Sequence, residues 1–310
     1  MARDVIIGTR DSALAMWQTE WVIENLKRLK PEHSFRIISM KTQGDKILDV
    51  ALAKIGDKGL FTKELEVAML SGEIDMAVHS MKDLPTALPE GLMIGAICER
   101  ADPKDVVISK NGLKLEQMPT GARIGTSSLR RCAQLLSYRP DLKLEPLRGN
   151  LNTRMAKLER ENLDAIILAA AGVERLGWGD RISERLSTDI SLPAVGQGSI
   201  GIEIRDNDKE IFDVVKILNH FPSQVSITAE RALLKRLEGG CQIPIGALGT
   251  VEGDQLTLIG LVASLDGKEV IRGSISGPVN EAAALGEKLA EQLVEQGADR
   301  ILISVRQEII

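Results

Sequence analysis

The sequence predicts an α/β protein: two α/β lobes around a cleft, followed by a smaller α+β domain. Three observations carry this. Short apolar runs of strand length alternate with helically spaced segments over the first two thirds of the chain. Two segments, Glu99–Lys104 and Ser191–Gly198, break that alternation with polar, Pro and Gly residues. From Pro222 onward a helix leads into apolar-alternating strands instead.

Val5–Gly8 reads as a strand, followed by a helix over Ser12–Leu29. Phe35–Met40 is a second strand, Leu60–Ser71 a helix and Ile74–Val78 a buried strand, so the first sheet is expected to be mostly parallel. Glu99–Lys104 reads as a linker crossing to a second unit. There, strands Ala122–Gly125, Leu142–Leu147 and Ala165–Leu168 alternate with helices Leu129–Leu136, Leu151–Glu161 and Ala169–Leu176. Ser127 or Ser128 and Asn150 are placed to cap the first two helices. After Ser191–Gly198, the strand Ile200–Ile204 is expected to return to the first sheet, and two crossings make a two-lobed clam. The last unit reads as a helix over Ser226–Leu237, two or three strands among Ala247–Val251, Gln255–Ser264 and Lys268–Ser276, and a helix over Asn280–Gln296. The expected domains are 1–98 with 199–217, then 104–193, then 222–310.

Composition narrows the function classes. The chain has 310 residues, 44% hydrophobic and 27% charged, as in an ordinary globular protein. No apolar run approaches the ~18 residues of a membrane span. Arg3, Asp4, Arg10 and Asp11 interrupt the N-terminal stretch, so no secretory signal is expected. Cys98, Cys132 and Cys241 form no CxxC, which favours a reduced, cytoplasmic protein. With only His33, His79 and His220, no metal site is expected. The net charge is −5, yet residues 121–160 hold nine Arg or Lys against three Asp or Glu. Such a segment is either a solvated helix face or an anion site. The acidic total and 3% aromatics weigh against nucleic acid as the partner.

The chemically interesting residues fall at the carboxyl ends of the predicted strands, where open α/β sheets bind ligands. They are Arg10 and Ser12, then Ser80, Lys82 and Asp83, then Thr126, Ser128, Arg130 and Arg131, then Arg148, Asn150 and Arg154. Guanidinium groups grip carboxylates with paired hydrogen bonds. Asp83 is either a turn residue before Leu84-Pro85, with Lys82 as its ion partner, or a carboxylate that stabilises a cation or moves a proton. His79 reads as a buried strand residue, and Cys98 and Cys132 as small packed side chains. Cys241 differs: it lies in Gly239-Gly240-Cys241-Gln242-Ile243-Pro244, a loop that displays its thiol. Residues 41–63, rich in glycine and charge, read as a long loop or a lid.

In order along the chain, the motifs resemble those of the porphobilinogen deaminase family, also called hydroxymethylbilane synthases. They are Gly8-Thr9-Arg10, Lys58-Gly59-Leu60-Phe61, His79-Ser80-Met81-Lys82-Asp83, Gly125-Thr126-Ser127-Ser128-Leu129-Arg130-Arg131, Arg148-Gly149-Asn150, Pro193-Ala194-Val195-Gly196-Gln197-Gly198 and Gly239-Gly240-Cys241. The resemblance implies three domains, the first two similar to periplasmic binding proteins. It implies a transferase of tetrapyrrole (haem) biosynthesis that condenses four porphobilinogen molecules with loss of ammonia. They would be added to a dipyrromethane primer joined to Cys241 by a thioether, and water would release 1-hydroxymethylbilane. It assigns Arg10, Ser12, Ser80, Lys82, Thr126, Ser128, Arg130, Arg131, Arg148, Asn150, Arg154 and Arg175 to cofactor or substrate carboxylates. Asp83 falls to catalysis with Lys82 and Arg10, Gln18 to a polar cleft position, Phe61 to an apolar wall, Gln197 to substrate contact, and Lys54 and Lys58 to the lid. A monomer is expected. A non-enzymatic solute receptor would share the clam shape, but the displayed Cys241 argues against it.

Overall fold

The computed structural model describes residues 3–46, 59–238 and 243–309. In chain order, β1 (Asp4–Arg10), β2 (Ser34–Met40), β3 (Met76–Ser80) and β4 (Leu92–Ile97) form most of one sheet. After a crossing, β5 (Asp105–Ser109), β6 (Arg123–Gly125), β7 (Lys143–Glu145), β8 (Ala165–Ala169) and β9 (Glu184–Arg185) form a second. The chain then returns as β10 (Ile200–Arg205) to the first sheet, as its apolar run predicts. The strand orders are β2-β1-β3-β10-β4 and β7-β6-β8-β5-β9.

Both sheets are mixed: the first is mostly parallel in strand direction, as expected, with β10 alone reversed. β1 runs parallel to β2 and β3, but β10 is antiparallel to β3 and β4. The second sheet repeats this, with β6 parallel to β7 and β8, and β5 antiparallel to β8 and β9. The crossings impose it. Each delivers the chain at the carboxyl ends of the strands it joins: Ile200 pairs with Ser80, and Asp105 with Ala169. A strand entering there has to run away from the cleft.

The first helix, Ala13–Leu29, starts where Ser12 accepts a hydrogen bond from the Ala15 amide at 3.3 Å. It buries Val22, Ile23 and Leu26 against the sheet core of Val5, Ile7, Met76 and Ile202. Fully burying such a side chain contributes about 1.5–3 kcal/mol. In the second lobe, Asn150 caps Leu151–Arg160 as expected. Neither candidate serine caps Leu129–Tyr138: Ser128 makes no capping bond, and the Ser127 hydroxyl accepts from the Leu147 amide instead.

The third unit packs β11 (Ile245–Glu252), β12 (Gln255–Ala263) and β13 (Val270–Pro278) against helices Phe221–Arg236, Ala282–Glu295 and Ala298–Ile309. Its first helix begins before the predicted start, because Pro222 lies in the first turn, where a missing N–H costs nothing. The final helix, β4, β5 and β9 are further elements that the sequence reading did not assign.

Two buried carboxylates tie the crossings. Asp105 is fully buried and accepts from Arg130, Arg131, the Ser191 hydroxyl and the Gln197 amide. Glu230, on helix Phe221–Arg236, takes the Arg100 guanidinium of the first crossing, the Gly196 amide of the second and the Gly249 amide of β11. Gly196 has φ +72, and a Cβ there would lie 2.9 Å from that of Met81, so the second crossing lies directly on the Met81–Asp83 turn. Removing one partner of a buried ion pair typically costs about 3–5 kcal/mol. Asp105→Asn is therefore expected to lower the unfolding free energy from urea titration by an amount in that range, with a lower midpoint and an unchanged m value. A wild-type midpoint would contradict the central place of this carboxylate.

Candidate functional site in the interlobe cleft

Strands β1, β3 and β7 lead at their carboxyl ends into the residues of the cleft. Beyond β1, Arg10 forks onto Asp45 through Nε and Nη2, lies 4.3 Å from the centre of the Phe61 ring, and has Asp83 at 3.7 Å. Asp45 is itself held by the Thr42 amide and hydroxyl. Beyond β3, the Ser80 hydroxyl meets the Gln18 amide at 2.9 Å, and a single 3-10 turn, Met81–Asp83, presents Lys82 and Asp83. Arg10, Ser12, Gln18, Phe61, Ser80 and Asp83 line a cavity of about 50 Å³.

The second lobe faces this wall with cations. Arg148 follows β7, and Arg154 lies on the next helix, its Nε donating to the Gly149 carbonyl at 2.8 Å. Burial, and then repulsion from Arg131 and Arg148, pulls the Arg154 pKa down to about 10, with Asp83 opposing the shift. Lys82 is pulled down to about 8, first by burial; Arg131 and Arg154 add to this, while Asp83 and Asp105 oppose it. Residues of both lobes thus share one electrostatic environment. Burial also lowers Arg148. A cluster of partly desolvated cations with the Asp83 carboxylate among them favours an anionic ligand that also carries a positive or N–H-donating centre.

Other expected site residues stand elsewhere. Arg130 is closed off from the cleft, spending Nη1 and Nη2 on Asp105 and Nη1 also on the Leu192 carbonyl. Arg131 is bound at all three nitrogens by Asp105 and the Ile167 carbonyl. Gln197 is buried at the crossings, where its amide donates to Pro103 and Asp105. Sequence reasoning read Arg130 and Arg131 as ligand-facing because they follow a strand end, and Gln197 through the family resemblance; it missed Asp105, whose place at the head of an apolar run was the available signal. Arg175 bridges the lobes, donating to the Gly198 carbonyl at 2.7 Å with the Trp17 ring 5.7 Å away, and burial lowers its pKa. The buried Thr126 hydroxyl accepts from the Ser128 amide at 3.3 Å. His79 is a buried strand residue as expected, 3.0 Å from Glu203. Burial pushes the thiols up, to about 12 for Cys98 and about 11 for Cys132. Lys54, Lys58 and Cys241 lie outside the described residues. Among the described residues, no cluster of His, Cys, Asp and Glu could hold a metal ion.

Fold and site define a two-lobed α/β protein with a cleft lined by arginine and lysine side chains. Residues 5–213 match the model of the porphobilinogen deaminase dipyrromethane cofactor binding domain, and 225–295 that of the porphobilinogen deaminase C-terminal domain. A porphobilinogen deaminase of Pelotomaculum thermopropionicum is 60% identical over 99% of both chains, and one of Carboxydothermus hydrogenoformans is 62% identical over 99% of both. A solved domain of Bordetella pertussis BvgS covers 69% of this chain and 84% of its own, at 14% identity and TM-score 0.42. The chain belongs to the porphobilinogen deaminase family.

The Lys82 shift has a signed consequence. Its folded pKa lies near 8, below the ordinary 10.5. Between those values the unfolded chain binds more protons, so this lysine makes stability rise with pH. The stability of the protein relative to Lys82→Met is expected to increase from pH 8 to 10.5 in urea titrations; a flat difference would contradict the shift.

Proposed function

We propose that this chain is a hydroxymethylbilane synthase. It joins four porphobilinogen molecules head to tail, releases ammonia at each step, and frees 1-hydroxymethylbilane by hydrolysis. The observation that carries this reading is the wall on which Arg10 and Asp83 stand 3.7 Å apart and share one cavity with Ser12, Gln18 and Ser80. Each substrate ring brings an acetate and a propionate, so the growing chain is a polyanion with pyrrole N–H groups along it.

The donor set fits a dipyrromethane cofactor. Lys82, Arg148 and Arg154 would hold its carboxylates, with Ser128 and Thr126 beside them, and Asp83 would accept its N–H groups; Cys241 is the proposed attachment point. When bound, the cofactor supplies the pyrrole carbon on which the chain starts. Arg10 and Arg175 would take carboxylates of the incoming ring. The Arg10 fork is held by Asp45. Loss of ammonia from the incoming porphobilinogen leaves a cation. Asp83 stabilises that charge and is placed to accept the proton released on coupling. Such a carboxylate acts strongly only where water is limited, and it is half-buried here.

The division into 1–98 with 199–217, 104–193 and 222–310 is supported by which strands share a sheet. Among the described residues, Cys98 and Cys132 are free thiols, and no helix is long and apolar enough to cross a membrane. Both support the proposal of a cytoplasmic enzyme. It is proposed to act as a monomer without nucleic acid.

Asp83→Asn is expected to keep the wild-type thermal midpoint while turnover falls about 100-fold or more; near-normal turnover would remove Asp83 from the mechanism. Arg148→Ala is expected to stall elongation, seen by mass spectrometry as protein carrying partly extended chains. Normal elongation with only a weaker apparent affinity would count against its place on the chain's carboxylates.

A further inference from the structure

We propose that Arg231, on the third unit's helix Phe221–Arg236, is a positioning residue for Asp83. The inference rests on the reading of Asp83 as the catalytic carboxylate. The Met81–Asp83 turn has no second turn to stiffen it, so its direction depends on what holds its ends. At the entering end, the Met81 amide donates to the Ser199 carbonyl at 3.0 Å, and Gly196 packs on Met81. At the leaving end, the Leu84 amide closes on the Met81 carbonyl at 3.3 Å. The carbonyls that follow, of Leu84 and Pro85, both accept from Arg231: Nη1 to Leu84 at 3.3 Å and Nη2 to Pro85 at 2.6 Å. Pro85 has no amide with which to continue the turn, and a cation from another unit instead holds the two carbonyls that leave it.

Arg231 is a committed group. Burial lowers its pKa, and Glu203 of β10 opposes that. Its planar fork meets two carbonyls at once, which a lysine ammonium on a flexible stem does less rigidly. The adjacent Glu230 binds both crossings. One pair of residues on one helix thus fixes the interlobe segments and the turn that presents Asp83. Arg231 touches no proposed substrate position; its effect passes through the backbone at Leu84 and Pro85. The other side of its side chain lines an open hollow of about 440 Å³ with Met93, Phe212, Lys216 and Gln224, so truncation admits water without overpacking a core.

The experiment compares kcat and KM for porphobilinogen in Arg231→Leu, Arg231→Lys and Arg272→Ala, each with its thermal midpoint and intact mass. Arg272 is a matched control, because it too reaches from the third unit to a carbonyl of another lobe, Thr188 at 3.1 Å, away from Asp83. A misplacement near 1 Å at a reacting group can cost on the order of 100-fold. Arg231→Leu is expected to lose between about 10- and 100-fold in kcat, with KM unchanged and the covalent adduct intact. Arg231→Lys is expected to lose several-fold, and Arg272→Ala to keep its kcat even if its midpoint falls. An unchanged kcat in Arg231→Leu overturns the proposal, as does an equal kcat loss in Arg272→Ala. Should Arg231→Leu not fold, Arg231→Lys decides: reduced kcat at unchanged KM supports the proposal, and wild-type kcat overturns it. Asp83→Asn is assayed alongside. If it is active, the reading of Asp83 fails; if it is inactive while the Arg231 variants are normal, only the positioning role fails.

Discussion

A carboxylate without water has to find donors in the protein, and Asp105 draws them from the segments that join the two lobes. Arg130 and Arg131 come from the helix after β6, Ser191 and Gln197 from the returning crossing, and Asp105 itself ends the outgoing one. Its pKa is driven far down by the two guanidiniums, against a large burial penalty. The same node holds Arg131 behind the cleft, where its charge reaches Lys82 and Arg154. Buried ion pairs of this kind are weak sources of net stability. What this one provides is a fixed geometry: both crossings enter at the carboxyl ends of the sheets, and the functional turns face each other.

The third unit is part of that geometry. Glu230 and Arg231 extend the network from Asp105 through Gln197 and Arg100 to the turn bearing Asp83. The helix that carries them runs on toward the segment containing Cys241. A covalently anchored primer and a catalytic carboxylate need a stable mutual frame, and this helix connects the two regions along the chain.

Much of this was legible in the residues. Apolar runs marked β1, β3, β8 and β10, and the polar break at Glu99–Lys104 marked the first crossing, because burial and turn chemistry act locally. Strand direction was not legible: nothing in Ile200–Ile204 itself says that it runs antiparallel to β3, since the crossing's point of entry decides it. The arginines were visible as a positive segment, but their division into ligand-facing and structural members was hidden. Arg130 and Arg148 occupy equivalent-looking strand ends. Only the fold brings Asp105 to the first, and it lies 25 residues from Arg130. Ser127 failed as a cap for a similar reason, as its hydroxyl found the Leu147 amide across the loop.

The central claim is that the cleft works with a covalent primer on Cys241. The most direct measurement is the intact mass of the purified protein beside its Cys241→Ser variant, before and after incubation with porphobilinogen. The account predicts a two-pyrrole adduct on the protein and none on the variant, with any unmodified protein acquiring the adduct on incubation. A protein that remains unmodified after incubation, or a Cys241→Ser variant that carries the same adduct, would contradict it.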